Sequence, residues 1–243
     1  MFTGMYKVVA GASTEMDRQT TIARNLNGSN IPGFRREYMK LVGFNNEFEN
    51  QMTGFTAVGS RVTDHNEGLQ RITGRALDFA LSGPGFFKVE ADDGRTVLTR
   101  NGNFHLDNRG MLVTNEGMPV IGEQGGMFLP QNVAMDQLRI DTQGRLVADT
   151  DNGEILVGKF ALVEVETLEG LDRLSANYYV QTPRAGEVKP AADTELIHRA
   201  LENSNVSPLM EMADMIESMR EYETAQTMIR MTDDTLKKQV DMV

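Results

Sequence analysis

The chain is predicted to be an α+β protein: an all-β central domain flanked by N- and C-terminal helices that pair with each other as a coiled coil. Three observations predict this. Apolar residues at both ends step by three and four, the middle consists of short β-favouring runs broken at Gly and Asn, and the two ends carry opposite charge.

In the first segment, apolar or small residues fall at Phe2, Met5, Val9, Ala12, Met16, Ala23 and Leu26, with Gln19 filling the gap. From Met5 onward the steps alternate four and three, which is a heptad seam. The helix should stop near Asn27-Gly28, because Gly accepts a left-handed cap and Pro32-Gly33 beyond cannot continue the turn. These residues place an N-terminal helical region at 1–35. Residues 36–72 have weak periodicity, with Asn45-Asn46 and Gly54, and are expected to form an extended connector.

The β-rich domain is expected over 73–200. Short strands are predicted at Phe86–Val89, Thr96–Thr99, Phe104–Leu106, Met111–Val113 and Leu138–Ile140, and one long apolar strand at Ile155–Val165. Asn101-Gly102 and Asn152-Gly153 have the composition of two-residue hairpin turns.

The C-terminal helical region spans 201–243. Ser207 is its N-cap and Pro208 its first helical residue. Met212, Met215, Met219, Tyr222, Gln226, Ile229, Asp233, Leu236 and Val240 then step by three and four. Such a seam gives a helix of roughly 45 Å. Two of its positions, Gln226 and Asp233, are polar, so the seam needs a partner. Residues 1–36 carry five basic residues against two acidic, a net of +3, and residues 201–243 four against nine, a net of −5. Opposite charge on two heptad helices favours pairing them with each other.

Composition excludes several functions. The net charge of −11 over 243 residues argues against nucleic acid, whose phosphates require a basic face. With no cysteine there is no disulfide, thiol nucleophile or cysteine metal site. No apolar run approaches the roughly 20 residues of a membrane span, and Met1–Ala10 lacks the basic start of a standard secretory signal. His65, His105 and His198 are far apart and have no ligand spacing around them. Gly83-Pro84-Gly85 precedes a strand, where a phosphate loop would open a helix. Asp107-Asn108-Arg109-Gly110 has no later acidic residue at calcium-loop spacing. No catalytic, cofactor or metal residue is therefore assigned, and no small-molecule substrate is expected. Six of the 16 methionines lie in the last helix, where a flexible side chain suits an adaptable interface. The candidate functional residues are an assembly interface: Met5, Val9, Ala12, Met16, Ala23 and Leu26 with Met212, Met215, Met219, Tyr222, Ile229, Leu236 and Val240.

Three blocks of residues are similar to the flagellar rod and hook proteins. The first is Gly4-Met5-Tyr6 with Asn25-Leu26-Asn27 and Pro32-Gly33-Phe34-Arg35. The second is Thr73–Ala80, Gly83–Phe87, Thr99–Phe104 and Gly117–Val120. The third is Leu201–Val206 with Met215-Ile216 and Arg220–Glu223. Together they span nearly the whole chain in family order. The resemblance implies a structural, non-enzymatic subunit of the basal-body rod, polymerising to transmit torque from motor to hook. It further implies other rod subunits and the flagellar export apparatus as partners, placement in a helical tube spanning the periplasm, and export without a cleaved signal peptide. Gly11-Ala12-Ser13 and Pro32-Gly33-Phe34-Arg35 resemble the proximal-rod type, whereas Glu221-Tyr222-Glu223 is compatible with a distal rod subunit. A secreted non-enzymatic binding module is the alternative from another class.

Overall fold

The computed structural model describes residues 2–44, 55–130, 133–141, 144–150 and 153–240. Helix α1 spans Phe2–Gly28 and helix α2 spans Pro208–Val240, with short strands between them. The chain divides into two compact units. One comprises residues 1–27, 36–64 and 206–243, and the other residues 28–35 and 65–205.

In the first unit the helices follow from local sequence. Glu211 donates its N–H to the Ser207 carbonyl at 3.0 Å, which starts α2. Threonines inside both helices return their hydroxyls to the carbonyl four residues back, as Thr21 does to Asp17 (3.0 Å) and Thr227 to Glu223 (2.9 Å). Within the segment expected to be an extended connector, strands Glu37–Phe44 and Phe55–Thr63 pair antiparallel, with a bulge between Lys40 and Leu41. Residues 45–54, which include Asn45-Asn46 and Gly54, lie outside the described residues.

The second unit is built on a six-stranded antiparallel sheet. Its order is 125–126, 120–122, 87–90, 96–99, 178–181 and 171–173. Because side chains alternate across a strand, its two faces feed two cores. Phe87, Val89, Val97 and Tyr178 join Phe79, Phe104 and Phe160 on one side. Leu98 and Tyr179 join Phe86, Val163, Val165 and Leu171 on the other. The Phe87 and Phe104 rings meet edge to face at 5.2 Å. A three-stranded sheet, Leu138–Ile140, Arg145–Thr150 and Gly153–Lys159, closes the first core.

Three local expectations are corrected. The long strand expected over 155–165 is broken: Lys159 ends one strand and Val163 begins another, because buried Phe160 turns in to bridge Gly122. Asn101-Gly102 is no hairpin turn. Asn101 caps the Asn103 N–H at 3.0 Å, and Gly102 is required because a Cβ there would lie 1.8 Å from the Phe79 carbonyl oxygen. Gly28 ends α1 as expected, but not as a left-handed cap. A Cβ at Gly28 would strike the Phe34 ring at 2.3 Å, and the first positive φ after the helix falls on Gly33 (70°). The turn expected at Asn152-Gly153 has residues 151–152 outside the described residues, although Thr150 pairs with Gly153 across it.

Residues 28–35 are fastened into the β unit by buried charge. Arg35 Nη1 lies 2.6 Å from Glu202 Oε1 and donates to the Asn66 carbonyl at 2.6 Å. Arg100 Nη1 lies 3.5 Å from Glu202 Oε2, and Arg100 Nη2 donates to the Gly83 carbonyl at 2.6 Å. Gly68 donates its N–H to Glu202 Oε1, and Gly33 donates its own to the Glu202 carbonyl, both at 2.8 Å. Arg173 lies over the Phe34 ring at 4.6 Å and donates to the Arg35 carbonyl at 2.6 Å. One carboxylate thus joins stretches from both ends of the sequence.

Candidate assembly interface

The two helices meet within the first unit through polar groups. On α1 the contact residues are Glu15, Arg18 and Asn25, and on α2 they are Glu211, Glu217, Ser218 and Glu221. Buried Ser218 donates its hydroxyl to Glu15 Oε2 at 2.7 Å. Arg18 lies 3.2 Å from Glu221 and 3.5 Å from Glu217. Buried Asn25 donates Nδ2 to Glu211 Oε2 at 3.0 Å and to the Glu37 carbonyl at 2.8 Å, and accepts the Glu37 N–H at 2.9 Å. Arg36 completes the cluster, 2.5 Å from Glu211 and 3.4 Å from Asp214. Asn25 meets Glu211 and Glu15 meets Ser218, so the helices run in opposite directions through the contact. A cavity of about 230 Å³ lies beside it, lined by Thr14, Arg18, Thr21, Tyr38 and Met39 among others.

Electrostatics follow from this packing. Partial burial, and then the Glu15 carboxyl nearby, push Glu221 above its ordinary value, with Arg18 opposing. Glu211 is fully buried and is compensated from two sides, by a guanidinium and by an amide. Glu211 without these partners would be a costly unpaired buried charge.

The expected apolar seam is not this contact. On both helices contact residues lie one position N-terminal of the seam: on α1, Glu15 precedes Met16 and Asn25 precedes Leu26. On α2, Glu211, Ser218 and Glu221 precede Met212, Met219 and Tyr222. One residue is about 100° of helix rotation, so the seam is turned out of the intramolecular contact. Val9 is 47% exposed, Met16 55%, Met212 53% and Met219 50%. Ala12 is buried, and Ala23, Leu26, Met215, Tyr222 and Ile229 are half-buried. The side chains of Met5, Leu236 and Val240 lie outside those described. The residues missed from the sequence are Glu15, Arg18, Asn25, Glu211 and Ser218, whose one available signal is the recurrence of polar residues at three and seven positions along each helix.

Of the other candidates, His198 stacks on Phe79 with ring centroids 5.3 Å apart, and its Nε2 lies 2.7 Å from the Ala76 carbonyl oxygen. Burial holds it below the usual imidazole range. Gly83-Pro84-Gly85 is a turn into the sheet, held where Gly85 N–H donates to Thr194 Oγ1 at 2.8 Å. Asp107 Oδ1 accepts the N–H groups of Arg109 and Met111, each at 2.8 Å, which closes a tight loop. Among the described residues, no group of three or more His, Asp or Glu is placed to hold a metal ion, and no helix is long and apolar enough to cross a membrane.

Comparison with known proteins adds to this geometry. Residues 80–148 match a family model described as the flagellar hook protein FlgE/F/G D1 domain. Residues 198–242 match one described as the flagellar basal body rod FlgEFG protein C-terminal. The chain is 31% identical to the flagellar basal-body rod protein FlgF of Salmonella typhimurium, over 95% of this chain and 94% of that one. It is 28% identical to the flagellar basal-body rod protein FlgG of Buchnera aphidicola from Acyrthosiphon pisum, over 94% and 95% respectively. With FlgG of Bacillus subtilis the identity is 26%, over 100% and 99%.

Proposed function

The chain belongs to the flagellar rod and hook protein family, and from that premise we propose that it is a structural subunit of the basal-body rod, polymerising with other rod subunits to carry torque from motor to hook. The observation that carries this reading is the outward-turned seam. Polar heptads hold α1 and α2 together within one chain, while Val9, Met16, Met212 and Met219 stay half-exposed beside them. Packing of neighbouring subunits against these positions would bury them, at roughly 1 kcal/mol for each half-exposed side chain. In the polymer the seams of Met5, Ala12, Ala23 and Leu26 and of Met215, Tyr222, Ile229, Leu236 and Val240 form the coiled-coil layer.

No catalytic step is assigned: the relatives are named as rod proteins, and the polar groups described here are occupied in holding the fold. Gly11-Ala12-Ser13 and Pro32-Gly33-Phe34-Arg35 support a place in the proximal segment of the rod. Delivery through the flagellar export apparatus, without a cleaved signal peptide, follows from the same premise.

Deletion of the gene, with basal bodies imaged by electron microscopy and complementation as control, tests the proposal. A membrane ring without a rod supports the proximal assignment. A short rod stub lacking a hook moves the subunit to the distal segment. Complete, motile flagella overturn the rod reading.

A further inference from the structure

The two most exposed large apolar side chains among the described residues sit on and just before one short strand and not on the helices. Leu69 is 83% exposed and Ile72 87% exposed. Strand Gln70–Ile72 pairs on one side only, with the buried strand Ala200–Glu202. The bonds to that partner fall at Leu69, whose carbonyl accepts the Asn203 N–H at 2.9 Å, and at Thr73, whose N–H reaches the Arg199 carbonyl at 2.8 Å. Main-chain groups of an antiparallel strand point alternately to its two sides. Gln70 and Ile72 therefore direct their N–H and C=O groups outward, and no strand among the described residues pairs with that edge.

An edge of this kind offers main-chain groups to another strand, and folded proteins ordinarily block it with a bulge, a proline, a covering element, a charge or a very short strand. Here the strand is three residues long, keeps a regular register, carries Arg71 at its centre and is flanked by exposed Leu69 and ended by exposed Ile72, so a docking strand has to answer the charge. Its charge limits what can pair with it. Residues 69–75 contain Arg71 and Arg75 and no carboxylate, in a chain of net charge −11. Two copies of this strand placed edge to edge would bring like charges together, which is unfavourable. An acidic extended segment elsewhere on another molecule has the complementary charge. Pairing between two different surfaces of identical molecules is head-to-tail, and wherever its rotation does not close a ring it propagates into a helical polymer.

We infer that the outer edge of strand Gln70–Ile72 docks an acidic extended segment of a second copy of this chain, by main-chain hydrogen bonding at Gln70 and Ile72 with Leu69 and Ile72 packed against it. This inference rests on the rod-subunit reading and adds to it a contact through the β unit, separate from the helical seam.

The test uses the full-length chain in cells, with Ile72 replaced by a photo-reactive benzoyl-phenylalanine and basal bodies purified after irradiation. The expected product is an adduct at twice the chain mass of 27.0 kDa, with the cross-linked peptide acidic and different from residues 69–75. An adduct with another protein alone, or none while the same probe at Met219 cross-links, overturns the inference. Gln70→Pro removes one outward N–H and leaves the bonds at Leu69 and Thr73 in place. It is expected to lower incorporation into basal bodies at least tenfold with unchanged thermal melting, and normal incorporation overturns the inference. Should Gln70→Pro melt early, the photo-probe at Ile72 decides alone. Motile, complete flagella in the deletion strain would defeat the rod reading, whereas failure of the strand-edge experiments alone would leave it standing.

Discussion

Replacing Glu202 with glutamine keeps the shape of the side chain and removes one charge from the point where Arg35, Arg100 and the Gly68 N–H converge. All three charged side chains are buried: Arg35 and Glu202 are 1% exposed and Arg100 3%. Burial already holds the Arg100 guanidinium below its ordinary pKa, with Glu202 the main group opposing that shift. Without the carboxylate, two guanidinium groups face each other with partly exposed Glu67, 4.0 Å from Arg100, as the remaining counter-charge. Breaking a buried ion pair by removing one partner costs about 3–5 kcal/mol. For a protein of this size each kcal/mol lowers Tm by about 2–4 °C, so Glu202→Gln should melt about 6–20 °C early. The assay is differential scanning calorimetry of the purified monomer at pH 7, with urea unfolding as a second measure. A combined Arg35→Met, Arg100→Met, Glu202→Leu variant should regain much of the loss, because a well-packed apolar cluster can replace a buried ionic one. A fall of less than about 2 °C for Glu202→Gln would refute the reasoning, since it would mean the cluster is hydrated and its charges are screened.

Met16→Asp and Met219→Asp each change a half-exposed position and should cost the monomer under about 1 kcal/mol, yet abolish incorporation, because a charge would be buried unpaired in the polymer. Normal motility in either strain would count against the seam. Gly102→Ala places a Cβ 1.8 Å from the Phe79 carbonyl oxygen and should destabilise the β unit by more than about 2 kcal/mol, read by loss of cooperative melting. Glu211→Ala strips Asn25 and Arg36 of a shared acceptor. Trypsin should then cut at Arg18 and Arg24 faster than in the parent, and equal rates would refute the helix contact. His198 has a folded pKa below its unfolded value near 6.5, so its contribution to stability is present above that value and lost as pH falls through the folded pKa. Melting temperature should therefore drop on acidification from pH 7 to below 6, and His198→Gln should flatten that part of the profile.

The architecture was legible from the sequence wherever local chemistry decides it. Ser207-Pro208 starts α2 and Gly28 ends α1, and the strands at Thr96–Thr99 and Leu138–Ile140 lie where alternation and turn residues put them. The seam was legible as a periodicity, but not its partner. A heptad of apolar residues states which face wants burial, and it says nothing about what buries it. The contact within the chain is set by Asn25, Glu37 and Glu211, residues from three distant segments that no local pattern links. The break at Phe160 has the same origin, since a continuous apolar run records burial and not the bend by which it is reached. The role of Gly102 depends on Phe79 passing close to its Cα, a long-range fact hidden behind an ordinary Asn-Gly pair.

Asn25 finds its carboxylate 186 residues further along the chain, at Glu211. That separation acts as a check on length. A polypeptide that stops between residues 206 and 210 keeps every strand of its middle, but its first helix keeps Asn25 and Arg36 without their shared acceptor. The polar face of α1 then has no partner helix, and the two seams are never set beside each other on one subunit. An incomplete copy therefore cannot imitate a finished one, and the same hydrogen bonds that shape the helix pair register that synthesis has passed residue 211.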